Sequence, residues 1–150
     1  MSEIEDLILK ASTKTPEINF KGDSGQLELS GRSIPEISFE FYQPVIDWVD
    51  AYGKNPQEET MVHAKFEYFN TSSSKQILDV FKKLENIHLN GKSRVKVKWF
   101  VSEEDEAMQE AGEEYKMLLK LPFEIVPVAD DDEETRGYEV VSGNYCLIRK

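Results

Sequence analysis

Four small polar residues in a row, Asn70-Thr71-Ser72-Ser73, stand where an alternating segment gives way to an amphipathic one. Each can accept a hydrogen bond from the N–H groups that open a helix, so the plain reading is a helix cap. Cap chemistry accounts for one or two of the four. A hydroxyl held at the positive end of a helix is also a good place for a phosphate, and the run offers several without choosing among them. Lys75, one turn further on, can pair with such a group, and Asn70, Thr71, Ser72, Ser73 and Lys75 together make a candidate partner-binding patch.

Other chemistries find little support. No GxGxxG, GxxxxGK[ST] or GxSxG run occurs. Two histidines and one cysteine do not make a recognisable zinc site, and no metal or cofactor is implied. His63 falls on the polar side of its strand and His88 near a helix end, where solvated or capping roles suffice. An enzyme using Thr71 or Ser72 as nucleophile would need His63 as its base. Eight residues of extended chain, roughly 26 Å, separate His63 from Thr71, which argues against that pairing. A passive interaction scaffold is the remaining alternative.

The elements that position the run follow from periodicity. Val62, Ala64, Phe66 and Tyr68 alternate with His63, Lys65 and Glu67, predicting a strand over about 60–68. Ile77, Leu78, Phe81, Leu84 and His88 lie along one helical face, predicting a helix over about 73–88. Upstream, Ile18 and Phe20 face Leu27 and Leu29 across a Gly22-Asp23-Ser24-Gly25 turn, followed by a loop over 31–36. A helix then begins between Phe39 and Tyr42, because Pro44 fits only in a first turn, and stops at Gly53. Downstream come an Asn90-Gly91 turn, a strand over 94–100, and a helix capped by Ser102 and running to Leu119. A strand over 123–128 follows. Residues 1–15 read either as a docking segment or as a frayed end. Ala129 to Glu134 form an acidic linker, and Tyr138–Val141 with Tyr145–Ile148 form a terminal hairpin.

Strands alternating with helices predict an α/β fold with a mostly parallel sheet. Clean alternation, in place of continuous apolar runs, predicts helices on one face only. The expected architecture is therefore two-layer, with a polar outer face carrying Lys21, Glu28, His63, Lys65, Glu67, Arg94, Lys96 and Lys98. Residues 1–128 form the domain and 129–150 an extension.

The net charge of -11 argues against wholesale nucleic-acid binding. From Lys75 to Phe100 seven bases meet two acids, whereas Val101 to Glu114 holds seven acids and no base, an asymmetry that favours protein partners. The single Cys146 excludes an internal disulfide and suits the cytoplasm. The acidic N-terminus is unlike a signal peptide, and no apolar run is long enough for membrane insertion.

Over roughly residues 8–128 the chain resembles the SiaC family of bacterial regulatory phosphoproteins. The resemblance rests on TPEINF (Thr15–Phe20), LELSGRSIPE (Leu27–Glu36), FYQPVIDWVDAY (Phe41–Tyr52) and FEYFNTSSSKQILDVFKKLE (Phe66–Glu85). One departure is Ile37, where family members commonly have Asn after the Pro-Glu pair. The resemblance implies a STAS-like fold, similar to anti-sigma-factor antagonists. It also implies a non-catalytic switch, in which a partner kinase phosphorylates Thr71 and a PP2C-type phosphatase reverses it. The unphosphorylated form would bind and activate a diguanylate cyclase, raising cyclic di-GMP and promoting biofilm formation.

Overall fold

Alternating burial along the strands places every helix on the same side of one sheet. The computed structural model describes residues 4–129, 140–141 and 146–147. In chain order the elements are β1 (Leu7–Leu9), β2 (Glu17–Lys21), β3 (Gln26–Ser33), α1 (Ser38–Tyr52), β4 (Glu59–Phe69), α2 (Thr71–Leu89), β5 (Arg94–Ser102), α3 (Glu106–Leu118) and β6 (Phe123–Val128). The sheet runs β1-β2-β3-β4-β5-β6. Its first two pairings are antiparallel and the other three parallel, so the α/β, mixed and mostly parallel architecture expected from the pattern is the one found. Because β3, β4 and β5 are parallel and each feeds a helix, α1, α2 and α3 all begin at one edge of the sheet.

Thr60, Val62, Ala64 and Phe66 of β4, and Val95, Val97, Trp99 and Val101 of β5, are buried beneath the helices. Their neighbours His63, Lys65, Lys96 and Lys98 face outward and keep partial or full exposure. Asn19, Glu28, His63, Lys98 and Glu124 stand in one register row across five strands. Trp99 centres the inner layer, with ring contacts to Phe66, Phe69, Phe81, Tyr115 and Phe123. Its indole N–H donates to the Met108 carbonyl at 3.1 Å, satisfying the one polar atom it buries. Gly112 lets α3 come this close: a Cβ there would stand 2.5 Å from the indole ring.

Several boundaries differ from the sequence expectation. Residues 7–9 are neither frayed nor merely docked but form an edge strand on β2, and Trp48 Nε1–H reaches back to the Glu5 carbonyl at 2.7 Å. Strand β3 continues through Gly31 and Arg32 to Ser33, where a loop was expected. Helix α1 starts at Ser38 with Pro44 in its second turn. Pro44 and Glu40 are both exposed, so water can take the carbonyl that the proline leaves unpaired. Ile37 is the N-cap of α1 and offers no side-chain hydrogen bond, so the departure from the family pattern falls on a capping position. Helix α3 is capped by Asp105, not by Ser102, whose hydroxyl accepts from the Glu104 N–H one step earlier.

Tyr68 is the instructive exception in β4. Gly31 of β3 pairs with Phe66, but the next residue, Arg32, pairs with Tyr68, so Glu67 is an extra residue in the ladder. The bulge breaks the alternation. Tyr68 is therefore 50% exposed, and Phe69 takes the inward place against Phe66, Trp99 and Tyr115. Gly31, at φ 108°, sits opposite the irregularity in a conformation that side chains disfavour.

Two short strands, β7 (Val140–Val141) and β8 (Cys146–Leu147), pair antiparallel within the expected terminal hairpin. Its turn, and the acidic linker after its first residue Ala129, lie outside the described residues. Among the described residues no helix is long and apolar enough to cross a membrane.

Candidate functional site

The bulge ends β4 with Phe69 turned inward, and Asn70 begins α2 in an extended conformation. Asn70 N–H donates to the Ser33 carbonyl at 3.1 Å, prolonging the β3–β4 ladder by one bond. Its side-chain oxygen accepts the Ser73 N–H at 2.9 Å and the Ser72 hydroxyl at 3.3 Å. Helix α2 thus starts two residues earlier than its apolar period suggests, and Asn70 alone supplies the backbone cap.

The hydroxyls that follow divide their work. Ser73 is fully buried, and its Oγ accepts from Ser33 Oγ at 2.9 Å. Ser33 Oγ lies 2.7 Å from the Tyr42 phenol. Ser33 has one hydroxyl proton and gives it to Ser73, so the phenol donates to Ser33. Burial pushes the Tyr42 phenol far above its usual range, opposed in part by the bond to Ser33, and keeps it a donor. Ser74 Oγ turns back to the Thr71 carbonyl at 2.7 Å, and the Tyr115 phenol donates to the Ser74 carbonyl at 2.8 Å. Burial likewise raises Tyr115, with contributions from Tyr42 and Glu114.

Thr71 is exposed, and among the described residues its hydroxyl has no hydrogen-bond partner, unlike those of Ser72, Ser73 and Ser74. Helix geometry also leaves the N–H groups of Thr71 and Ser72 without intrahelical acceptors. The first turn of α2 contains no acidic residue, whereas Glu40 and Glu106 occupy those of α1 and α3. Lys75 is exposed and makes no ion pair among the described residues. The arrangement offers a free hydroxyl and two free N–H donors at a positive helix end.

Of the five residues grouped by sequence, Asn70, Thr71, Ser72 and Lys75 therefore share a surface, while Ser73 points inward. What the pattern of residues leaves hidden is the pair of tyrosines, Tyr42 and Tyr115, which read simply as core aromatics.

His63 is not part of this constellation. It sits in mid-strand on the outer face with its ring against Phe100, and Thr71 lies beyond the strand's end. Burial and Lys98 hold the His63 imidazole below its ordinary range. The nucleophile–base pairing therefore has no geometric support. Among the described residues no group of three or more His, Cys, Asp or Glu is placed to hold a metal ion.

Comparison with known proteins adds three findings. The model of SiaC family regulatory phosphoproteins matches residues 9–128, stopping at the last residue of β6. An uncharacterized protein of Pseudomonas aeruginosa is 32% identical over 122 residues, covering 81% of this chain and 96% of its own length. Among solved structures, SiaC of Pseudomonas aeruginosa superposes with a TM-score of 0.77 at 30% identity, over 83% of this chain and 100% of that one. The same organism's SiaC, crystallised in complex with the diguanylate cyclase SiaD that it activates, gives 0.77 at 32% identity over 82% and 100%.

Proposed function

The chain belongs to the SiaC family, and from that premise we propose that it is a non-catalytic signalling adaptor switched by reversible phosphorylation of Thr71. In this reading residues 1–128 are the regulatory domain and 129–150 an extension to it. The unphosphorylated form binds and regulates a cytoplasmic partner of the diguanylate cyclase kind, and so acts on cyclic di-GMP signalling. A Ser/Thr kinase adds the phosphate and a PP2C-type phosphatase removes it. The relative solved with a diguanylate cyclase supports the class of partner. The observation that carries the reading is the exposed, unpartnered Thr71 hydroxyl at a helix start with no acid of its own.

A phosphate on Thr71 adds about -1.5 to -2 charges and three acceptor oxygens. Next to the free N–H groups of α2 it is stabilised by roughly 0.3–2 kcal/mol, so the fold tolerates it. Buried against a partner, the same group is disruptive by about 2–5 kcal/mol. The modification therefore changes which protein binds far more than whether this one is folded. Ser72 is the second acceptor, weaker because its hydroxyl is already engaged with Asn70.

Mass spectrometry of the protein from its host should find phosphate on Thr71. Partner binding should survive in Thr71→Ala and fail in Thr71→Glu. Equal binding by the two variants would remove the switch.

A further inference from the structure

The first turn of α2 is held from both sides by phenols. On one side Tyr42, from the second turn of α1, reaches Ser73 through Ser33 in a buried chain of 2.7 and 2.9 Å bonds. On the other, Tyr115 of α3 reaches the Ser74 carbonyl at 2.8 Å. The two anchors grip adjacent residues of the turn, and Thr71 opens that same turn two residues before the first of them. We infer that Tyr42 and Tyr115 are positioning residues for Thr71, fixing the first turn of α2 so that its free hydroxyl is presented in one orientation. The functional half of this inference rests on Thr71 being the modified residue; the structural half does not.

The argument turns on redundancy. Asn70 already caps α2, and one cap with the helix's own hydrogen bonds suffices to start a helix. The Ser33 hydroxyl, held from α1 by Tyr42, and the Tyr115 phenol of α3, both brought to the same turn, do more than that. A lone first turn frays on fast timescales, because its amides lack intrahelical partners. Anchoring Ser73 and Ser74 removes that fraying and leaves Thr71 at the boundary between an immobile turn and open solvent.

The molecule supplies its own control. Tyr52, ten residues after Tyr42 on α1, makes a matching chain at the opposite edge: its phenol lies 2.7 Å from Thr60 Oγ1, which lies 2.7 Å from Ser93 Oγ. Tyr42→Phe, Tyr115→Phe and Tyr52→Phe each remove one buried phenolic hydroxyl, and only the first two touch the switch turn.

Amide hydrogen exchange over residues 71–76 of the full chain is the first measurement. Tyr42→Phe and Tyr115→Phe should each speed exchange there by up to about tenfold, and Tyr52→Phe should not. Ser73→Ala, which removes the acceptor while keeping both tyrosines, should behave like Tyr42→Phe. A uniform rise throughout the core in all three tyrosine variants would assign them a general structural role and overturn the inference. The second measurement is the rate of phosphate transfer from ATP to Thr71 in host-cell extract, counted by mass spectrometry. It should fall at least about threefold in Tyr42→Phe and Tyr115→Phe and stay unchanged in Tyr52→Phe. Faster exchange with an unchanged transfer rate overturns the positioning role. Absence of label in the wild-type chain sinks the phosphorylation reading instead, and the exchange data then decide the anchoring alone.

Discussion

Helices α2 and α3 leave the same edge of the sheet, each after a parallel strand, and each is capped by a side-chain oxygen three residues before the N–H it accepts. Around α3 the cap is Asp105, preceded by exposed Glu103 and Glu104 and followed by Glu106. Around α2 the cap is neutral Asn70, followed by hydroxyls and then Lys75. Acids at α3 neutralise the positive helix end permanently. At α2 that end carries no acid, and under the proposed function a phosphate on Thr71 would fill it. Two helix starts closed by the same kind of capping bond thus differ in whether a compensating charge is built in.

The largest expected effect is on binding. Thr71→Glu should weaken partner affinity by roughly 30-fold to several-thousand-fold, about 2–5 kcal/mol, in titration calorimetry against the partner that the proposed function assigns. Glu106→Gln at the other helix start should leave it within about twofold. Comparable losses in both would mean that the whole edge, not the start of α2, meets the partner.

Next come the caps. Asn70→Ala and Asp105→Ala should each lower stability by about 1 kcal/mol in urea unfolding. A neutral Asn70→Ala would mean that the Ser72 hydroxyl takes over the capping bond. Giving α1 the side-chain cap it lacks, by Ile37→Asn, should raise stability by a similar amount, about 0.5–2 kcal/mol.

Smaller still is the response to an added acid without any partner. Thr71→Glu should raise stability by about 0.3–1 kcal/mol, whereas Ala107→Glu, placed among acids already present, should give less or nothing. Equal gains would erase the distinction between the two helix starts.

The outer face gives the weakest signal. The folded-state pKa of His63 lies below its unfolded value, so its contribution is fully present above the ordinary histidine range and is lost as pH falls through the folded pKa. Glu28 runs the other way at lower pH, because burial raises its carboxyl. Urea midpoints between about pH 7.5 and 5.5 should decline in the wild type and flatten in His63→Gln. Phosphorylation of Thr71 should leave that decline unchanged.

Much of this molecule is legible in its sequence, because period-two and period-3.6 patterns record which face of each element is dry. The strands β2 to β6, the three helices and the one-sided sheet all follow from residues such as Val95, Val97 and Trp99. Three features escape for physical reasons. Edge strand β1, three residues long, is too short to show a period. Pro44 sits deeper in α1 than its chemistry suggests, because the carbonyl it leaves unpaired belongs to an exposed residue. The bulge at Glu67 breaks an alternation that Tyr68 continues perfectly on paper. At the candidate site, the polar run and its place at a helix start are readable from residue type. The inward turn of Ser73 and the reach of Tyr42 and Tyr115 are not, since they depend on which elements become neighbours.

That one supernumerary residue in β4 also sets a parity. Let Glu67 pair in regular register instead of bulging and every residue from it up to the helix changes sides: Phe69 swings into water, Tyr68 moves onto the indole, and α2 emerges rotated beneath the same letters. The letters N-T-S-S would survive while a different hydroxyl faced outward. Which hydroxyl faces outward is therefore written in the pairing at the bulge as much as in the run itself, and homologues of the same length whose β4 pairs without a bulge should be expected to offer another atom, or none.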